Sequence, residues 1–228
     1  MHKIEPEFLS YIIEQKIEPG ARLPTLAQMS SEIGISVGKL REQLEVARSR
    51  GLVSVKPRLG TQREPFDFLP VTRDSVLFGL ASGEAEFEHF SELRQAIESG
   101  LWMPAVRQLT DADKEKLRVL VARAWDKLHG EPVLIPNIEH RQLHLTIFKR
   151  LQNPFVKGIL EAYWDIYEAI ELTRLASYQY WLEVWDYHEK IVEAICEEDF
   201  LRGQHLLLEH FDLLPTVRPT VWENGERP

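Results

Sequence analysis

Four histidines set the chemistry this chain could carry. His140 and His144 are four residues apart, so on a helix both imidazoles project from one side. His188 and His210 fall in two later helical segments. Imidazoles presented by facing helices of a bundle can converge on one divalent metal. A structural or exposed role suits the same spacing, and spacing alone leaves both open. The pattern is not that of a zinc protease, because Arg141 rather than glutamate follows His140. Glu139 points about 100° away from His140 around an ideal helix and is a poor ligand beside it. Glu86 and His89 form one Glu-x-x-His pair, whereas a di-iron bundle needs two. Metal-activated water would suit a hydrolytic enzyme. No Asp or Glu stands beside the cluster as an obvious general base, so an enzyme is not the expectation. His89, His129 and His205 read as surface or capping residues.

Two arginines could serve a ligand. Inside a bundle the Arg94 guanidinium can clamp a carboxylate through two parallel hydrogen bonds. Its alternative is a surface salt bridge with Glu92 or Glu98. Arg174 is a second candidate of the same kind. Between residues 163 and 187 lie Tyr163, Trp164, Tyr167, Tyr178, Tyr180, Trp181, Trp185 and Tyr187. That density suits a pocket lining, a core or a dimer interface.

The elements that must position these groups are helices. From about Ser75 onward no strand alternation is visible, and helical periodicity spans about 85–108, 111–129, 137–151, 154–176, 178–197 and 199–214. Thr110 followed by Asp113 marks an N-cap with an acid in the first turn, and Pro104 should start a turn or kink the first helix. The expectation is an antiparallel all-α bundle of about six helices over residues 85–214. Residues 215–228 read as a frayed tail that Trp222 could pin.

Upstream the pattern changes. A first helix is expected from about Pro6 to Ile17, and Pro24-Thr25 opens a second with Leu26, Met29 and Ile33 facing in. Ser36 suits the N-cap of a third, running to about Arg50, with Leu40, Leu44 and Ala47 as its docking stripe and Gly51 as its stop. Leu52–Val55 and Thr61–Arg63 then read as short strands around Lys56-Pro57-Arg58-Leu59-Gly60. The order is that of a winged helix-turn-helix. Residues 37–63 hold seven cations against two anions, a local +5 on a chain of net charge −9. A basic module on an acidic body suits oriented DNA binding, though a bare charge run is ordinarily a solvated face. Pro65 and Pro70 suggest a stiff linker over 65–84 after a DNA-binding domain of residues 1–64.

Leu23-Pro24, Leu40-Arg41-Glu42, Arg50-Gly51-Leu52-Val53 and Gly60-Thr61 resemble the DNA-binding domain of the GntR family of bacterial transcription regulators. Ala27 and Val37 stand where that family commonly has arginines, so its usual operator is not assumed. His188-Glu189-Lys190-Ile191, Ala194-Ile195, Asp199 and His210, with Leu143-His144 and Asn153-Pro154, resemble the FCD effector domain of the FadR subfamily. The resemblance implies a divalent metal held by one Asp and three His. His144, His188 and His210 match the histidines, and His140 takes the place of the acid. A neutral four-nitrogen set favours Zn, Ni or Cu over hard cations, with Zn or Ni expected. It further implies a small carboxylate effector bound over the metal, with Arg94 and Arg174 as ligand contacts. The DNA-facing set expected is Thr25, Ser36, Lys39, Arg41, Arg48, Arg50, Lys56, Arg58 and Gly60, on a homodimer binding a palindromic double-stranded operator. The alternatives are a winged-helix interaction protein that has lost DNA binding and a metal-dependent enzyme.

The bulk numbers agree with this class. The chain has 228 residues, 44% of them hydrophobic, enough for two modest domains with real cores. One cysteine, Cys196, excludes an internal disulfide framework, fits a reducing compartment and reads as a small core residue. With no signal sequence and no apolar run near 18 residues, a soluble, cytoplasmic protein with no membrane partner is expected.

Overall fold

A computed structural model describes residues 6–169 and 177–213. The chain divides into two compact units, Met1–Val71 and Thr72–Pro228. The first contains α1 (Glu7–Glu14), α2 (Leu26–Ile33), α3 (Val37–Ser49), β1 (Val53–Lys56) and β2 (Gly60–Arg63).

Local chemistry places each boundary. The Thr25 hydroxyl accepts from the Gln28 amide while the Gln28 side chain accepts from Thr25 N–H, a reciprocal box that starts α2. Gly34, at φ +80°, ends α2 in the left-handed conformation. Ser36 Oγ accepts from Lys39 N–H and starts α3. Phe8, Met29, Leu40 and Ala47 are fully buried at the centre of this unit, with Leu44 and Val53 beside them. The strands pair antiparallel, Val53 opposite Arg63 and Lys56 opposite Gly60. The segment before α2 adds an edge to the hairpin. Leu23 N–H donates to Thr61 O, Gly20 N–H to Arg63 O, and Arg63 N–H to Ala21 O. At the hairpin tip Leu59 N–H donates to Lys56 O, closing a turn with Pro57 second and Arg58 third, the latter at φ +66°. A positive φ at that position ordinarily calls for glycine or asparagine.

Helix α4 (Leu69–Ser82) occupies most of the stretch read from its prolines as a linker. Pro70 sits in the first turn, where its missing N–H costs nothing. The Leu69 amide donates to Asp67 Oδ1. Val71, Val76, Leu77, Phe78 and Leu80 are spread around the helix, so no stripe announces it.

The second unit continues with α5 (Phe87–Gly100), α6 (Trp102–Val106), α7 (Asp111–Leu128), α8 (Asn137–Phe148), α9 (Pro154–Ala169), α10 (Tyr178–Cys196) and α11 (Phe200–Phe211). The helix expected over 85–108 is two, α5 and α6, divided at Gly100 and Leu101. The tail and the expected continuation of α9 lie outside the described residues. Helix α10 packs on α7 and α11, α7 on α8, and α5 on α9 and α11. Their shared core includes Leu117, Leu128, Leu143, Ile147, Trp181, Trp185, Ile191 and Leu207. Trp102 is fully buried and donates through Nε1 to Phe200 O. Gly203 lets it in, since a Cβ there would stand 2.8 Å from Trp102 Cζ2. Thr110 and Asp113 form the capping box of α7, and Asp113 also accepts from Arg150 and Lys149 at the start of the α8–α9 connection.

Candidate functional site

Helix α8 carries His140 and His144 one turn apart, α10 carries His188, and α11 carries His210. All four rings are buried, and one ring nitrogen from each lies within 4.8 Å of the others. His144 Nε2 and His188 Nε2 are 3.1 Å apart. Both nitrogens of His140 and the Nδ1 atoms of His188 and His210 have no hydrogen-bond partner among the described residues. Buried polar atoms without partners are costly. A tetrahedral zinc with bonds of about 2.0–2.1 Å would space its nitrogens by roughly 3.4 Å. The donor set therefore fits a borderline divalent metal. Burial pushes the pKa values of His140, His188 and His210 well below the ordinary imidazole range. Burial also lowers that of His144, with Arg94 adding to it and Glu98 opposing. Neutral imidazoles are the form that ligates.

A second layer comes from α5. Arg94 and Glu98, one turn apart, form a buried pair with Nε–Oε1 at 3.0 Å and Nη2–Oε2 at 3.2 Å. Both are at most 1% exposed, so the pair is an interior one rather than the surface salt bridge the sequence offered as an alternative. Glu98 Oε2 also lies 3.1 Å from His144 Nδ1. Burial alone would raise the Glu98 pKa; Arg94 and His144 outweigh it and hold the carboxyl down to about 2. The sequence reading found no acid beside the cluster, and Glu98 is one. Its i, i+4 relation to Arg94 was the available signal. Its contact with His144 joins residues 46 apart and left no local trace.

The aromatic stretch surrounds the same centre. The His140 ring stands 4.6 Å from Trp164, 6.0 Å from Tyr167, 6.0 Å from Trp181 and 6.2 Å from Trp185, centroid to centroid. Arg94 lies under Tyr163 and Trp164, its Cζ 4.7 Å and 5.1 Å from their centroids. Tyr178 is exposed. Glu139 accepts from Lys127 at 2.7 Å and takes no part in the cluster. His89 caps α5 with Glu86, His129 ends α7 stacked on Trp125, and His205 is exposed beside Glu209. Arg174 lies outside the described residues.

In the first unit, Thr25, Ser36, Lys39, Arg41, Arg48, Arg50, Lys56 and Arg58 are exposed, and Gly60 is half-buried at φ +78°. They fall on the start of α2, on α3 and on the hairpin. Some cations are tied: Lys39 Nζ is 2.6 Å from Glu7 Oε1, Arg48 is 2.8 Å from Glu45, and Lys56 is 3.9 Å from Glu64. Arg41, Arg50 and Arg58 make no ion pair among the described residues.

Comparison with known proteins places these units in context. The FCD domain family matches residues 89–213, more than half of the chain and all four histidines. The chain is 24% identical over 198 residues to the uncharacterized HTH-type transcriptional regulator YcbG of Bacillus subtilis (strain 168), covering 86% of this chain and 79% of that one. It is 20% identical over 218 residues to the HTH-type transcriptional regulator LutR of the same organism, covering 92% and 97%. Among solved structures, Streptococcus agalactiae GntR superposes with a TM-score of 0.61 at 19% identity, covering 90% of this chain and 93% of that one, a likeness of fold. No helix among the described residues is long and apolar enough to cross a membrane.

Proposed function

The chain belongs to the FCD domain family, and from that premise we propose that it is a ligand-responsive transcription regulator that reads DNA through a GntR-type winged helix-turn-helix in its first unit. A homodimer binds a palindromic operator, presenting α3 of each protomer to successive major grooves. Lys39 and Arg41 lie near base edges. Arg48, Arg50, Lys56 and Arg58 neutralise phosphates, while Thr25, Ser36 and Gly60 bring backbone and hydroxyl groups to the DNA backbone. The support is the exposure of this whole cationic set on α3 and the hairpin of one small unit.

The effector half binds a divalent metal, Zn or Ni, through His140, His144, His188 and His210. The carrying observation is His140, a buried imidazole with neither ring nitrogen satisfied among the described residues. When bound, the metal supplies a positive centre for an acidic ligand. Four neutral imidazoles leave its charge uncompensated, and Arg94 and Glu98 cancel one another. A small carboxylate would restore balance in that buried setting. Glu98 is held on both oxygens by Arg94, which argues against its acting as a free base for metal-activated water. Regulation then requires that the acid bind DNA-competent and incompetent states of the dimer unequally.

The test is elemental analysis of the chain purified without added metal or chelator, followed by selection of bound duplexes from a random pool with and without candidate acids. One zinc or nickel per chain, an enriched palindrome and a response to one acid are expected. A chain without metal that also ignores added Zn and Ni rejects the metal site, and a pool showing no enrichment rejects sequence-specific binding.

A further inference from the structure

A ring nitrogen can ligate a metal only through its lone pair, so the proton of a neutral imidazole must sit on the other nitrogen. For His144 the surroundings decide which. Its Nε2 edge faces His188 Nε2 at 3.1 Å, and its Nδ1 edge faces Glu98 Oε2 at 3.1 Å. Arg94 engages both Glu98 oxygens as donors, so Glu98 is a carboxylate and can only accept. A lone pair on Nδ1 would then confront a lone pair on oxygen in a fully buried place. Arg94 Nη2 also approaches Nδ1, at 3.4 Å. That contact is the longer of the two, and because Nη2, Oε2 and Nδ1 form a near-equilateral triangle the two N–H bonds of Nη2, about 120° apart, cannot both point well at Oε2 and at Nδ1, which leaves Glu98 the nearer and better partner of Nδ1.

We propose that Glu98 is the positioning residue of the metal centre. It accepts a hydrogen bond from His144 Nδ1–H, fixing the tautomer in which Nε2 offers its lone pair to the space shared with His140, His188 and His210. Arg94 fixes Glu98 in turn. The inference rests on the metal-binding reading above and adds α5 to the helices that build the centre. It also recasts Arg94. With Nε and Nη2 directed at Glu98, its first task is to hold a carboxylate of the protein, and any contact with an effector falls to what remains of its fork.

The arrangement has a physical purpose. A carboxylate behind a ligating imidazole orients the ring and strengthens its lone pair, and loss of such a partner typically weakens metal binding roughly 10–100-fold. Among the described residues His140 and the Nδ1 atoms of His188 and His210 have no such partner, which sets His144 apart from the other three.

The experiment uses the full-length chain, stripped of metal and titrated with Co2+, whose visible absorption reports the number and geometry of its ligands. The wild type should bind one Co2+ per chain. Glu98→Gln should bind roughly 10–100-fold more weakly with a changed absorption band. Because that change leaves the buried Arg94 charge unpaired, the double variant Arg94→Met/Glu98→Gln, which removes both charges together, is measured beside it and should show the same loss. In the metal-free wild type, 15N NMR of the imidazoles should place the His144 proton on Nδ1. Wild-type affinity and absorption in both variants, or a His144 proton on Nε2, overturns the proposal while leaving the metal site standing. A wild-type chain that takes up no Co2+ overturns the metal reading, and this proposal with it.

Discussion

Lys39 Nζ lies 2.6 Å from Glu7 Oε1, so a cation of α3 is held by α1 of its own unit. The same carboxylate accepts from Gln43 Nε2, and the hydrogen bond from Lys39, with its own backbone amide and Gln43, draws its pKa down to about 2. In the proposed complex, DNA has to compete with Glu7 for Lys39. Glu7→Gln should therefore raise affinity for duplex at low salt. With Lys39 assigned to base edges, the slope of log K against log salt should stay near the wild-type value. Binding isotherms across a salt series decide it, and a slope steeper by about 0.9 would put Lys39 on a phosphate instead.

Arg41 and Arg58 are both exposed, make no ion pair among the described residues, and sit on different elements. Arg41→Ala should cost ~1–3 kcal/mol at one base position of the selected operator and little on random duplex. Arg58→Ala should weaken both alike and flatten the salt dependence. Equal losses for Arg41→Ala on specific and random DNA would contradict base reading.

His140 supplies nitrogen where a carboxylate would suit a harder cation. His140→Asp should shift metal preference from Zn or Ni toward Mn, and His140→Ala should weaken all of them. Competition titrations read the order directly. Chelation of the bound metal should also lower the melting temperature of the wild type, and that shift should shrink in His140→Ala.

Asp113 caps α7 and accepts from Arg150 Nε at 2.8 Å and from Lys149. The bond from Arg150 leads the causes that outweigh its burial and hold its carboxyl well below the ordinary carboxylate range. A carboxyl depressed on folding stabilises the protein above its unfolded pKa and loses that contribution as pH falls toward its folded one. Asp113→Asn should thus be less stable than wild type near neutrality, by on the order of 1 kcal/mol because Lys149 and Arg150 reach into solvent. The difference should close progressively below about pH 4. Urea unfolding at several pH values tests this, and a gap that persists into acid would refute it.

Gly203 faces Trp102 Cζ2 at a separation a methyl group cannot share, 2.8 Å from an added Cβ. Gly203→Ala should displace the indole, loosen its bond to Phe200 O and destabilise the second unit by about 1–3 kcal/mol. Thermal melts and tryptophan fluorescence report both effects.

What the sequence made legible was what local chemistry decides. Thr25 after Pro24, Ser36 as an N-cap, and Thr110 with Asp113 are short-range signals, and each marks a helix start in the structure. The spacing of His140 and His144 likewise fixed a common face. Helix α4 was hidden because its apolar side chains lie all around it, leaving Pro65 and Pro70 as the louder signal. The edge that residues 20–23 add to the hairpin is too short to alternate. The division of α5 from α6 falls at Gly100, while Pro104, which drew attention, sits quietly inside α6. Glu98 shows the same limit at the site. Its partner on α5 could be read from spacing, but its contact with His144 depends on how α5 lies against α8, which periodicity does not encode.

At the hairpin tip, the third turn residue is Arg58 at φ +66°, a conformation in which a side chain is ordinarily a liability. Glycine there would relax the backbone and remove a cation from the wing at one stroke. Under the proposed role of Arg58, firmness of the fold and affinity for duplex are set against each other at a single position. A variant selected only for heat resistance would be drawn to Arg58→Gly, and would give up one phosphate contact in the process.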